Sequence, residues 1–186
     1  MQAADRLLTA GASPESLSLR AVAREAGVAA PSVYLHFESK AEVALSTIDR
    51  LVSRVVERLA EIAASDLPAG EKVVAMLRDR VLIRFDAVRG YSSSLDELLA
   101  AVRAALLERR KQWFAREARV IARVLASAGD GVVAHPAEAA RDLLAATNAF
   151  LPYSLTPREL GRRAELEAQV VRIATLLVRG LGIPTP

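Results

Sequence analysis

Apolar residues recur at every third and fourth position through nearly all of this 186-residue chain, the spacing that keeps one face of an α-helix against a core. A half-buried strand alternates at every second position, and no segment does so convincingly. An all-α fold follows. Ala, Leu, Arg and Glu, which are strong helix formers, dominate, and aromatic residues make up only 4%. Turn-forming residues cluster at Gly11 to Pro14, Gly27, Ser65 to Gly70, Gly90 to Ser94, Gly129 to Gly131 and Pro152 to Pro157. They divide the chain into about eight or nine helices.

Helix starts are written in the side chains. Ser39 with Glu42, Ser94 with Glu97, and Thr156 with Pro157 and Glu159 fit the capping box, in which hydroxyl and carboxylate satisfy orphan amides reciprocally. His135-Pro136 marks another start. Three short helices are expected within residues 2–37, then a fourth from about Lys40 to Ala64, with no flexible linker before a larger bundle.

Composition excludes several functions. There is no cysteine, hence no disulfide and no thiolate metal site, and His36 and His135 lie far apart without a ligand-spaced neighbour. No run approaches the roughly 20 apolar residues of a membrane span, and Met1 to Ala12 lacks the basic flank and apolar block of a signal peptide. A soluble cytoplasmic protein without cofactor, metal or membrane partner is expected. No Ser, His and Asp arrangement, Gly-rich phosphate loop or carboxylate pair beside a histidine suggests an enzyme. Net charge is +3, and the first fifty residues hold five basic against six acidic residues, a net of −1. A nucleic-acid partner therefore has to be argued from pattern instead of bulk charge.

The pattern lies in residues 18–37, S-L-R-A-V-A-R-E-A-G-V-A-A-P-S-V-Y-L-H-F. Ser18 can cap a helix, Ala23 is small where a second helix must approach, and Gly27 can take the positive φ of a tight turn. Val22, Ala26, Val28 and Val33 are expected to form the seam between the two helices. Pro31 suits a first-turn position, where its missing amide costs nothing. The second helix then offers Pro31, Ser32, Tyr34 and His36 to solvent, where a major groove can be read. By spacing alone, the same residues also suit an ordinary Ala-rich helical core.

The segment from Gly27 to Val43, G-V-A-A-P-S-V-Y-L-H-F-E-S-K-A-E-V, resembles the N-terminal domain of the TetR family of repressors. The likeness covers about the first fifty residues: Gly-Val, then Tyr34, Phe37 and Ser39-Lys40 before a long helix. It implies a three-helix helix-turn-helix domain over residues 1–46 and an effector-binding and dimerisation domain over residues 47–186. It implies further that Tyr34 bonds a phosphate and that Lys40 pairs with another at a helix N-terminus. Arg20 matches a position that reaches base or phosphate, and Pro31, Ser32 and His36 match base-proximal positions. Ala29 and Ala30 depart from the polar residues of many relatives and offer only apolar contact, such as to a thymine methyl. A basic arm before the first helix is missing, which leaves two readings: weaker, less salt-sensitive binding, or a native start upstream of Met1.

For the larger domain, the resemblance supplies architecture without naming a ligand. In the last helix, about Arg162 to Leu181, Leu166, Val170, Ile173 and Leu177 form one stripe, while Val171, Ala174 and Val178 form a second. With Ala140, Leu143 and Leu144 of a preceding Ala-rich helix, the first stripe would make a four-helix homodimer interface, as the resemblance implies; a last helix sunk in the centre of a monomer is the alternative. Phe85, Tyr91, Gln112, Trp113, Asn148, Phe150 and Tyr153 are candidate liners of a cavity for a small-molecule effector. Arg103, Arg109, Arg110, Lys111, Arg116, Arg119 and Arg123 form a basic run, read as a solvated face that would also suit an anionic effector. The expected function is a repressor that binds a pseudo-palindromic double-stranded DNA operator and is released by its effector. The alternative is a dimeric helical scaffold with a weakened DNA-binding unit.

Overall fold

The computed structural model describes residues 19–29, 31–32, 40–88, 95–152 and 161–185. Among them are six α-helices: α1 (Leu19–Ala26), α2 (Lys40–Ala64), α3 (Ala69–Val88), α4 (Leu95–Ala126), α5 (Pro136–Thr147) and α6 (Arg163–Gly180). A 3-10 turn, Asn148–Phe150, follows α5, and no described residue is in a strand. The all-α expectation holds. The capping boxes at Ser39, Ser94 and Thr156 lie outside the described residues.

The chain forms two compact units, Met1–Val52 with Asp86–Arg109, and Ser53–Phe85 with Arg110–Pro186. In the first, Val22, Ala23, Leu45, Val52 and Leu106 are buried, and Arg109 Nη1 lies 2.6 Å from Asp49 Oδ2.

The second unit holds a continuous apolar core. Val55, Leu59 and Ile62 of α2 meet Val73, Met76 and Leu77 of α3 and Ile121, Val124 and Leu125 of α4. Ala140, Leu143 and Leu144 of α5 and Ala174 and Val178 of α6 complete it. Each set recurs at three or four residues, so one face of every helix is withdrawn from water, worth about 1.5–3 kcal/mol for each large side chain fully covered.

The helix ends are closed by polar groups where the chain leaves the core. Lys72 Nζ donates to the Ala63 carbonyl at 3.0 Å and Ser65 Oγ to that of Ile62 at 2.7 Å, satisfying carbonyls at the end of α2. Pro136 occupies the first turn of α5 behind His135, as its fixed φ favours. Beyond α6, Gly182 has φ +77° and the Ile183 amide bonds the Val178 carbonyl at 3.3 Å, returning buried Ile183 to the core. There the tail meets α3 at Gly70, a position where an added Cβ would stand 2.0 Å from the Pro184 carbonyl oxygen.

Candidate nucleic-acid interface

α1 ends in a double hydrogen-bonded turn. The Gly27 amide bonds the Arg24 carbonyl at 3.2 Å, the Val28 amide bonds that of Ala23 at 3.0 Å, and Gly27 has φ +67°. This is the Schellman arrangement, and it needs a residue tolerant of the left-handed region. Among the described residues beyond its chain neighbours, none comes within 4 Å of a Cβ placed on Gly27, so conformation and not space selects glycine there. Beyond the turn the Ser32 amide bonds the Ala29 carbonyl at 2.9 Å, and Pro31 and Ser32 are helical.

The turn leaves a group of candidate contact residues in solvent. Arg20, Ala29, Pro31 and Ser32 are exposed, while Val22 and Ala23, on the opposite face of α1, are 4% and 2% exposed. Lys40 is the first residue of α2; its side chain, with Ala30, Tyr34 and His36, lies outside the described residues. The expected seam needs correction at two places, because Ala26 is exposed and Val28 is 47% exposed. Ala26 is the last residue of α1, and the reversal at Gly27 carries Val28 off the helix face. Val33 lies outside the described residues.

In the second unit the expected interface residues are placed differently. Ala140, Leu143, Leu144, Leu166 and Val170 are buried by the chain itself, whereas Ile173 and Leu177 are half-buried. On α6 the covered row is Leu166, Val170, Ala174 and Val178. That i, i+4 ridge is the row obliquely crossing helices fit into grooves, whereas four-three-four spacing runs along the axis. The largest apolar side chain left in solvent on α6 is Leu176, 65% exposed.

Of the expected cavity liners, Phe85 and Trp113 are core residues at 4% and 7% exposure, and Gln112 is exposed. Phe150 is half-buried, and Tyr91 and Tyr153 lie outside the described residues. Asn148 does line a cleft of about 440 Å³ between α4 and α5, together with Phe114, Ala118, Ala122 and Leu144.

Behind that cleft is an ion cluster that the sequence reading does not anticipate. Arg80 and Glu117 have no exposed side-chain surface and Arg84 has 7%. Arg80 Nε donates to Glu117 Oε2 at 2.8 Å, its Nη1 to Thr147 Oγ1 at 2.9 Å, and its Nη2 to Asn148 Oδ1 at 3.1 Å. Arg84 donates to the other Glu117 oxygen at 2.5 Å and to the Arg80 carbonyl at 2.8 Å. Thr147 Oγ1 in turn donates a hydrogen bond to the Leu143 carbonyl at 2.8 Å. Burial alone would raise the Glu117 pKa; the charges of Arg84 and Arg80, and their hydrogen bonds, outweigh it and hold the carboxyl below the usual range. A signal for the cluster is present in the sequence. Val73, Leu77, Arg80 and Arg84 share one helical stripe and Trp113, Glu117, Val120 and Val124 another, each with charge of one sign at core positions.

The described residues are those of an all-α protein in which a short helix, α1, ends in a glycine-capped turn. Residues 1–47 match the family described as "Bacterial regulatory proteins, tetR family". Two solved structures share the fold. One is a transcriptional regulator of the TetR/AcrR family from Thermobifida fusca YX-ER1, with 24% identity, 94% of this chain and 93% of that one covered, and a TM-score of 0.60. The other is a putative TetR-family transcriptional regulator from Mesorhizobium loti MAFF303099, with 20% identity, 97% and 91% covered, and a TM-score of 0.61. No curated protein matches the chain. The N-terminal quarter thus resembles that family's N-terminal region, and the chain as a whole shares the fold of these two solved structures.

Proposed function

We propose that this chain is a ligand-responsive transcriptional repressor that binds a pseudo-palindromic operator as a homodimer in the cytoplasm. Residues 1–46 would engage DNA and residues 47–186 would bind the effector and the second copy. The observation that carries the reading is the glycine-capped turn after α1. It leaves Ala29, Pro31 and Ser32 exposed at the start of a helix, inside the segment that matches the family. Helix starts carry free amides and a partial positive charge, which suits phosphate, and a short helix with small side chains at its start can approach base edges closely. In this reading Ser32, Tyr34 and His36 face the groove side, Lys40 and Arg20 serve phosphates, and Ala29 and Ala30 offer methyl contact.

A pseudo-palindrome requires two copies, their recognition helices about 34 Å apart or a multiple of it. α6 supports such pairing through Ile173, Leu176 and Leu177, which keep exposed apolar surface. The effector would favour a dimer whose helices no longer match successive grooves.

The test is a mobility shift with the DNA upstream of the coding region. Tyr34→Ala and Lys40→Ala should each weaken binding several-fold, and full retention by both would remove the helix-turn-helix assignment. Leu176→Glu should shift sedimentation from dimer toward monomer and weaken operator binding. An unchanged dimer would move the interface elsewhere.

A further inference from the structure

We propose that the cleft between α4 and α5 binds an amphiphilic organic anion, with its apolar body along the cleft floor and its carboxylate on the arginines at the rim. The inference deepens the effector reading and rests on it only for its regulatory consequence.

The floor is apolar. Phe114, Ala118 and Ala122 of α4 face Leu144 and Ala145 of α5 across about 440 Å³, within the range of small-molecule sites. The alanines leave the room, since a larger side chain at any of them would occupy it. The lining runs from Lys111 to Ala122 along α4, a rise of roughly 16 Å, which suits an extended chain better than a compact ring.

The polar groups are of one sign. Lys111, Arg119 and Arg141 line the cleft, all are exposed, and no acidic residue is among the lining residues. Asn148, the fourth polar liner, has its carbonyl oxygen committed to Arg80. Arg80 has only donors, so the Asn148 orientation is chemically forced and its amide nitrogen is the atom it can offer a ligand. Phe114 links the floor to the charged groups, with the Arg80 and Arg110 guanidinium carbons 5.5 and 5.7 Å from its ring centroid. Guanidinium groups at the mouth of an apolar cleft match a carboxylate with two parallel hydrogen bonds. A second copy is a poorer occupant, because a two-fold contact through this cleft would set its cations against the same cations of the partner.

Decanoate, used below its micellar concentration and without DNA, is the probe, with decanol and decyltrimethylammonium as neutral and cationic counterparts. Calorimetry should show one saturable decanoate site per chain, at least tenfold tighter than for either counterpart. Trp113, the only tryptophan, adjoins Phe114 on α4 and should report the same titration. Arg119→Gln with Arg141→Gln should weaken decanoate at least tenfold and leave decanol unchanged, while Ala122→Phe should abolish both. Equal binding of decanoate and decanol, or full decanoate binding by the double variant, would overturn the proposal. So would a change of oligomeric state in that variant with no decanoate site in the parent, which would make the cleft an interface between copies. A decanoate site that leaves operator binding untouched would uphold the cleft and overturn its role as the effector site.

Discussion

Glu117 is held by two arginines in a place no water reaches, and its ionisation links the stability of the second unit to pH. Its folded pKa lies below that of an unfolded glutamate, about 4.3, because Arg84 and Arg80 outweigh the burial that would raise it. The stabilisation is therefore complete above about pH 4.3 and is lost as pH falls through the lower folded pKa. Removing the carboxylate strands two buried guanidiniums, so Glu117→Ala should cost about 3–5 kcal/mol in urea unfolding at neutral pH. The deficit should shrink as the parent is taken below pH 4, because protonation removes the same charge. An equal deficit at pH 7 and pH 3 would show that the carboxylate charge contributes nothing. The triple change Arg80→Met, Arg84→Met, Glu117→Leu should cost less than Glu117→Ala, since the desolvation of three charges disappears with the cluster.

Among the elements, the joint between α3 and the C-terminal tail is the tightest contact with a simple test. An alanine Cβ at Gly70 would meet the Pro184 carbonyl at 2.0 Å and the Ile183 methyl at 3.2 Å, so the tail would have to move. Gly70→Ala should lower stability by about 1–3 kcal/mol, the usual cost of overfilling a packed site. In a chain lacking residues 183–186 the same substitution should cost almost nothing, and a thermal-melt double-mutant cycle measures the difference. Additive effects would show that the tail does not constrain Gly70. Elements bounded by local chemistry are legible in the sequence: α2 spans Lys40–Ala64 as the sequence implies, α5 starts behind His135-Pro136, and Gly27 takes the positive φ its turn requires. Features set by packing partners are not. The buried row of α6 depends on which direction its neighbours cross it, and periodicity alone permits both stripes. Glu117 sits between Arg116 and Arg119 in a run that reads as a solvated basic face, and only the facing stripe with Arg80 and Arg84 shows that it is core. Phe85 and Trp113 look like cavity liners by type, yet the cleft is made by the smaller alanines.

For the whole molecule, the charge balance limits how DNA can be held. The net charge is +3, and the first fifty residues carry one more acid than base, so a generic basic surface does not supply the affinity. Binding would have to come from a few placed cations, neutral hydrogen bonds and helix-start amides. Only charged contacts release counterions in proportion, and each phosphate neutralised steepens the slope of log K against log salt by about 0.9. With Arg20 and Lys40 as the contributing cations, a dimer neutralises four phosphates and the expected slope is about −4, shallower than for interfaces with six to ten such contacts. Lys40→Ala removes one cation from each copy and should bring the slope to about −2, whereas Tyr34→Ala should lower affinity at every salt concentration and leave the slope unchanged. A parent slope of about −7 or steeper, unaltered by Lys40→Ala, would mean that another surface of the chain holds the duplex.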